Sequence, residues 1–254
     1  MKTIAALLCA LPPASPAPDP VHLAVDPKNL PITTGQCNAR NLSVRLSNTS
    51  GQPVYADAHL SAPPALHLQR TLVSTWLSPG YTRAVPVRVS AATGTPAGTR
   101  LVRVSSGGQR VDVPVTVTAP ATSAPLTSRA ARVTASSFRA VTPICGAADG
   151  DPVSLWADST NRRWPDWHQL DWDVGITASR VDVVTLPAAQ GGLRDWDVQV
   201  WADGAWQTVA AVRGNTAARV NSTFTPRVTK AVRILTLAGN GLGDQSRIVE
   251  VAVS

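Results

Sequence analysis

The feature that most constrains the fold is a period of two. Apolar and polar residues alternate in short runs, turn residues interrupt the runs about every ten positions, and no stretch sustains an amphipathic helical period. Leu42, Val44 and Leu46 alternate with Asn41, Ser43 and Arg45, and Asn48-Thr49-Ser50-Gly51 then turns the chain. Val85, Val87 and Val89 alternate with Pro86 and Arg88, and Ser105-Ser106-Gly107-Gly108 marks a hairpin between two further runs. The pattern predicts an all-β protein.

The regular spacing of turn signals over 21–118 predicts an immunoglobulin-like sandwich spanning 19–118. Trp76, the lone tryptophan there, is expected in its core. Residues 119–130, Ala-Pro-Ala-Thr-Ser-Ala-Pro-Leu-Thr-Ser-Arg-Ala, have the composition of a linker. A second domain is expected over 131–254, with strands near 167–173, 180–186, 196–201, 206–212, 229–237 and 247–253. Asp203-Gly204 is the hairpin turn between two of them.

Seven of the eight tryptophans fall between Trp156 and Trp206, in a chain with two Tyr and two Phe. Indole is large, rigid and amphipathic, so such a cluster builds one compact core or presents rings to a ligand.

The net charge of +7 is carried almost entirely by Arg. Arg40, Arg45, Arg70, Arg83, Arg88, Arg100, Arg103 and Arg110 are dispersed along strand-like segments. A nucleic-acid binder would concentrate them in a stripe or carry a reading motif, so no nucleic-acid partner is expected. An acidic glycan or cell-wall polymer suits the charge better. The Arg-over-Lys, Ala-rich usage matches a GC-rich bacterial genome.

Residues 1–18 resemble a secretory signal: Lys2, an apolar run, then Pro12-Pro13-Ala14-Ser15-Pro16-Ala17. The run is too short to span a bilayer, and no other segment reads as transmembrane. Beyond this leader two thiols remain, Cys37 and Cys145. In an exported chain they would bridge; in separate domains they would be two buried free thiols.

Nothing in the sequence asks for catalysis. There is no G-x-S-x-G, no H-E-x-x-H and no paired Cys/His spacing. Asp171 and Asp173 share a strand face, but they read more simply as exposed strand residues than as a hydrolytic pair. Asp149-Gly150-Asp151-Pro152-Val153-Ser154 is an oxygen-rich turn of a kind that suits calcium, but its spacing alone reads more simply as a plain Asx turn ahead of a strand.

Six motifs in order resemble the discoidin domain, the coagulation-factor C-type fold with many bacterial carbohydrate-binding members. They are Asp149-Gly150 leading to Ser154 and Trp156; Trp164-Pro165-Asp166-Trp167-His168-Gln169-Leu170-Asp171; Leu193-Arg194-Asp195-Trp196-Asp197-Val198-Gln199-Val200; Asp203-Gly204-Ala205-Trp206; Val232-Arg233-Ile234; and Arg247-Ile248-Val249-Glu250-Val251. The resemblance covers about 131–254. It implies a galactose-binding-like jelly roll of two antiparallel sheets. It also implies a structural calcium ion tying the first strand to the last, held by Asp149, Asp151, Ser154 and Glu250, the only Glu. More faintly, Gly35, the 48–51 turn and Pro96-Ala97-Gly98 resemble Ig-like domains that accompany alpha-galactosidases.

In discoidin-type modules the ligand sits on loops at one end of the barrel. The resemblance therefore nominates three loops. They are 157–164 with Asn161, Arg162, Arg163 and Trp164; 187–194 with Gln190; and 238–245 with Asn240 and Asp244. The alternative is that Trp164 packs beneath its loop and the arginines are merely solvated. The family's early-loop His has no counterpart, since His168 falls within a strand pattern. The family pattern uses Trp156, Trp167, Trp172, Trp196 and Trp206 for packing; Trp201 faces opposite Trp196 and is left open. The expected function is a secreted, non-catalytic protein that binds a glycan or polysaccharide. The rivals are an adhesive protein for a protein or cell-wall surface, or an accessory part of a glycoside hydrolase.

Overall fold

The computed structural model describes residues 19–241 and 245–254. The expected leader and Asp244 lie outside the described residues. The chain is all-β, built from two sandwiches in series.

The first contains β1 (Val21–Asp26), β2 (Leu30–Thr33), β3 (Arg40–Asn48), β4 (Val54–Ser61), β5 (His67–Leu68), β6 (Leu72–Leu77), β7 (Thr82–Ser90), β8 (Gly98–Ser106) and β9 (Gln109–Thr118). One sheet runs β1-β3-β7-β5 and the other β2-β9-β8-β4-β6, with β2 parallel to β9. Alternation decides the faces. On β4, Ala56, Ala58 and Leu60 point in while Tyr55, Asp57 and His59 point out. The core is aliphatic, centred on Leu42, Val44, Leu46, Leu77, Val87 and Val102. Each such side chain contributes roughly 1.5–3 kcal/mol on burial.

The expectation that Trp76 lies in this core is overturned. Val73 and Leu77 set the inward phase of β6, so Trp76 falls on the opposite phase. It is 53% exposed and meets Tyr55, 75% exposed, edge-on at 4.9 Å.

The second sandwich contains β10 (Arg132–Ala135), β11 (Trp156–Ala157), β12 (Asp166–Thr185), β13 (Leu193–Ala202), β14 (Ala205–Val212), β15 (Arg219–Gly239) and β16 (Arg247–Val253). The order is β11-β16-β12-β15-β13-β14, with β10 on β12. The long strands β12 and β15 serve both layers. Their register breaks between Asp171 and Ile176, and the strands bend there. Beyond the bend, β12 pairs with β16 as well. The result is a jelly-roll sandwich. Asp203 and Gly204, with φ of 53° and 77°, turn β13 into β14 as the Asp-Gly signal predicts.

Trp156 and Trp196 are fully buried and Trp172 nearly so. Trp156 and Trp172 satisfy their indole N–H on the carbonyls of Ser137 and Leu126, each at 2.9 Å. These three rings are the core; Trp167 and Trp206, also expected to pack there, are half-buried on the outer face of the sheet.

The two sandwiches are tied together. Cys37 and Cys145 form a disulfide across 108 residues. The Gln36 side chain exchanges two hydrogen bonds with the backbone of Val133, at 2.9 and 3.0 Å, as a neighbouring strand would. Asn38 donates to the Ser128 carbonyl at 2.7 Å. Gly35 makes this approach possible: its φ is +128°, and a Cβ there would stand 2.7 Å from the Asn38 amide nitrogen. Within the stretch of linker composition, Thr127 is buried and bridges Val251 and Val253 of β16. No helix among the described residues is long and apolar enough to cross a membrane.

Candidate functional site

Hydrogen bonds gather the first two nominated loops and the described part of the third, 238–241 and 245, at one end of the jelly roll. Asp158, 1% exposed, anchors the first loop. Its carboxylate accepts from the backbone N–H groups of Thr160 and Asn161 and, across the end, of Ser246. Asn161 and Arg162 adopt left-handed φ values of 42° and 57°. The Asn161 carbonyl oxygen accepts from Arg139 at 2.7 Å and from the Gln245 amide. Arg247 joins Gln245 to the backbone oxygens of Gln190 and Gly191. Asn240 donates to the carbonyls of Gly192 and Asn215. The structure thus brings Asn161, Gln190 and Asn240 to one end, but largely as parts that fasten the loops.

Arg162 and Arg163 are exposed. Trp164 is half-buried and packs against the core cluster, so this end presents guanidinium groups without an open aromatic face. Beneath it, burial and the charge of Asp158 raise the Asp166 carboxyl above its ordinary range, against hydrogen bonds from Ser136 and Ser246. His168 points inward, fully buried, as its place in a strand implies.

The Asp-Gly turn does meet β16. Ser154 donates to Asp149 at 2.7 Å, and the Gly150 N–H donates to Glu250 at 3.2 Å. Burial, reinforced by Asp149, pushes the Glu250 carboxyl up to about 7. Asp151 turns away: its side chain caps the Val153 N–H at 3.0 Å in an Asx turn. Among the described residues no group of three or more His, Cys, Asp or Glu is arranged to hold a metal. The oxygens present are two carboxylates, the Ser154 hydroxyl and the carbonyls of Gly146 and Asp151 that it contacts. An all-oxygen set of this kind fits calcium, and a cation would offset the repulsion at Glu250.

The open aromatic surface lies elsewhere, on the outer face of the sheet. Trp201, 40% exposed, sits opposite Trp206 across the β13–β14 hairpin, with ring centroids 5.4 Å apart and an interplanar angle of 72°. Beside the rings runs a row of planar polar side chains. Gln169 pairs with Arg233 across β12–β15, and Arg233 pairs with Gln199 across β15–β13. Arg233 donates to Gln199 at 2.6 Å, and Gln199 to Thr208 at 3.0 Å. Gln169 donates to Asp171 at 2.7 Å, and Arg132 of β10 stands 3.5 Å from the other Asp171 oxygen. Gln169, Asp171 and Arg132, together with the two indoles, border a cavity of about 710 Å³. Strand alternation pointed to Trp201 only. Trp206, Arg233 and Gln169 were not legible, because their meeting depends on pairing between strands distant in sequence.

Residues 132–251 match the model of the F5/8 type C domain. A search of curated proteins found no match. Among solved structures, chitosan-binding module 1 from the chitosanase/glucanase of Paenibacillus sp. IK-5 is similar at 23% identity and a TM-score of 0.45, covering 52% of this chain and 98% of that one. Module 2 of the same enzyme, in complex with chitotriose, is similar at 21% and 0.43, covering 48% and 94%. The family 32 CBM from C. perfringens NanJ, in complex with galactose, is similar at 18% and 0.42, covering 48% and 91%. The family match falls on β10 to β16, the jelly-roll half of the chain: residues 132–251 are an F5/8 type C domain.

Proposed function

We propose that the protein is an exported, non-catalytic carbohydrate-binding protein, attached to a glycan or polysaccharide through its F5/8 type C domain. One observation carries the reading: the exposed Trp201, with the half-buried Trp206 edge-on to it, stands beside forked polar side chains on an open sheet face. An indole face packs against the C–H face of a sugar ring, and amide, carboxylate and guanidinium groups bond its hydroxyls in pairs. A glycan array probed with the native chain and with Trp201→Ala tests it. The native chain should mark a defined set of sugars and the variant should lose them; an array blank for both would remove the reading.

The disulfide supports export, since such bonds persist in oxidising compartments. The paired sheets and aliphatic core of residues 19–118 support the immunoglobulin-like assignment. We assign to Asp149, Ser154 and Glu250 a structural calcium ion that joins the Asp-Gly turn to β16; Asp151 contributes its carbonyl rather than its carboxylate. A second reading, adhesion to a protein surface, is favoured by the Tyr55–Trp76 pair exposed on β4 and β6. A pull-down that depends on Trp76 while glycan arrays stay blank would support it.

A further inference from the structure

We infer that the sheet-face groove is a composite site, walled by both sandwiches, and that it takes a neutral sugar. The inference rests on the carbohydrate-binding reading and extends it to where the ring sits and what the N-terminal sandwich contributes.

The groove has a small floor and unlike walls. Ala231 pairs with Asp171 and follows directly on the Val200–Val232 pair, so it lies between Asp171 and Trp201. Its short side chain leaves a trough between the indoles on one side and the Arg132–Asp171 pair on the other. A further wall comes from outside the jelly roll: Thr93, in the loop after β7, lines the same cavity.

That loop is held in place by a continuous set of bonds. The Gly35 N–H donates to the Ala91 carbonyl at 2.8 Å, two residues before Thr93. Residues 36 to 38 then carry the Gln36–Val133 pair, the Cys37–Cys145 disulfide and the Asn38–Ser128 bond. Val133 is the neighbour of Arg132, which forms the opposite wall. One covalent link and four hydrogen bonds therefore fix Thr93 relative to Arg132. A wall so fixed contributes shape without the ordering cost of a mobile loop.

The charges in the groove cancel, although the chain as a whole carries +7. Arg132 faces Asp171. Lys230 and Asp173 also line it, and neither makes an ion pair or side-chain hydrogen bond among the described residues. Arg233 is turned aside onto Trp206 and Gln199. Two positive groups thus stand against two negative ones, which leaves no net field to select a charged polymer.

The bonding capacity left open suits hydroxyls. The buried Asp171 Oδ2 has no hydrogen-bond partner among the described residues, and the 3.5 Å to Arg132 is longer than a hydrogen bond. With the exposed Arg132 side chain swung outward from this oxygen, one hydroxyl would donate to it while a vicinal one accepts from the Arg132 guanidinium, the ring face lying on Trp201.

The test uses the full chain on an array of neutral, anionic uronic-acid and cationic glucosamine oligosaccharides, followed by calorimetry of the best binder at low and high salt. The variants are Trp201→Ala, Asp171→Asn, and Thr93→Trp with Thr93→Arg as a second obstruction, each checked by thermal melting. The expected result is a neutral ligand with salt-insensitive affinity, weakened about tenfold or more by each variant at unchanged melting temperature. Affinity untouched by both Thr93 variants would overturn the composite wall. A ligand confined to charged sugars, with affinity that falls steeply in salt, would overturn the neutral assignment. Both of those outcomes leave carbohydrate binding standing, whereas an array blank in all three classes removes it and this inference together.

Discussion

Arg233 lies over the ring of Trp206, its guanidinium carbon 4.2 Å from the ring centroid. The hydrogen bond to Gln199 holds it there, and desolvation lowers its pKa from the ordinary arginine value without threatening its charge. The contact keeps Trp206 edge-on to Trp201 and spends the Arg233 charge within the protein. Replacing Arg233 with Ala should release the ring, cost about 0.5–2 kcal/mol of stability, and weaken glycan binding several-fold. Denaturant melts and calorimetry on the same variant would read both effects. Unchanged affinity would mean that the orientation of Trp206 is irrelevant to the site.

The Cys37–Cys145 bridge closes a loop of 108 residues. Reduction, or Cys37→Ala with Cys145→Ala, should lower resistance to denaturant by about 2–5 kcal/mol. The loss of glycan affinity should be similar to that from obstructing Thr93, because the bridge positions that wall. A double variant with native stability would show that the hydrogen bonds of Gln36 and Asn38 suffice to join the sandwiches.

His168 is fully buried, and burial lowers its pKa to about 4, against the bond its ring makes to the Ile144 carbonyl at 2.9 Å. The folded state keeps the ring neutral, while an unfolded chain protonates it below about 6.5. The unfolded state therefore binds the extra proton, and stability falls as pH drops from about 6.5 to 4, levelling off below that. The full effect is about 3 kcal/mol. Urea titrations at pH 7 and pH 4.5 should show the decline, and His168→Gln should show less of it. Equal declines in both proteins would place the acid sensitivity elsewhere.

Glu250 runs the other way. Its folded pKa of about 7 stands above the ordinary 4.5, so the ionised form is the one the fold disfavours. Without a cation, this group lowers stability as pH rises from about 4.5 through 7. Calcium at the Asp149–Ser154–Glu250 oxygens should reverse that cost. The rise in melting temperature on adding calcium should be larger at pH 8 than at pH 5, and Glu250→Gln should abolish it. Identical midpoints with calcium and with chelator at pH 8 would argue against the metal.

Much of the architecture is local and was therefore readable. Alternation at Leu42, Val44 and Leu46 marks an inward face because Cβ atoms alternate along any strand. Asp203-Gly204 specifies its turn because both positions need positive φ. The meeting of the Asp-Gly turn with Glu250, and the gathering of the three loops at one end, came from likeness to a family. Phase was harder. The bulk of its indole argues for a buried Trp76, whereas the inward phase of β6 belongs to Val73 and Leu77.

The sequence by itself thus determined strand periodicity, the principal turns and the order of the two halves, all properties of residues close along the chain. Only the tertiary structure decided that Cys37 meets Cys145, that Trp164 packs against the core while Trp201 faces solvent, and that Arg132, Asp171, Arg233 and Trp206 share one face. Those relations depend on which strands pair and where β12 and β15 bend. Pairing is chosen by the packing of the whole core, and no window of residues contains it.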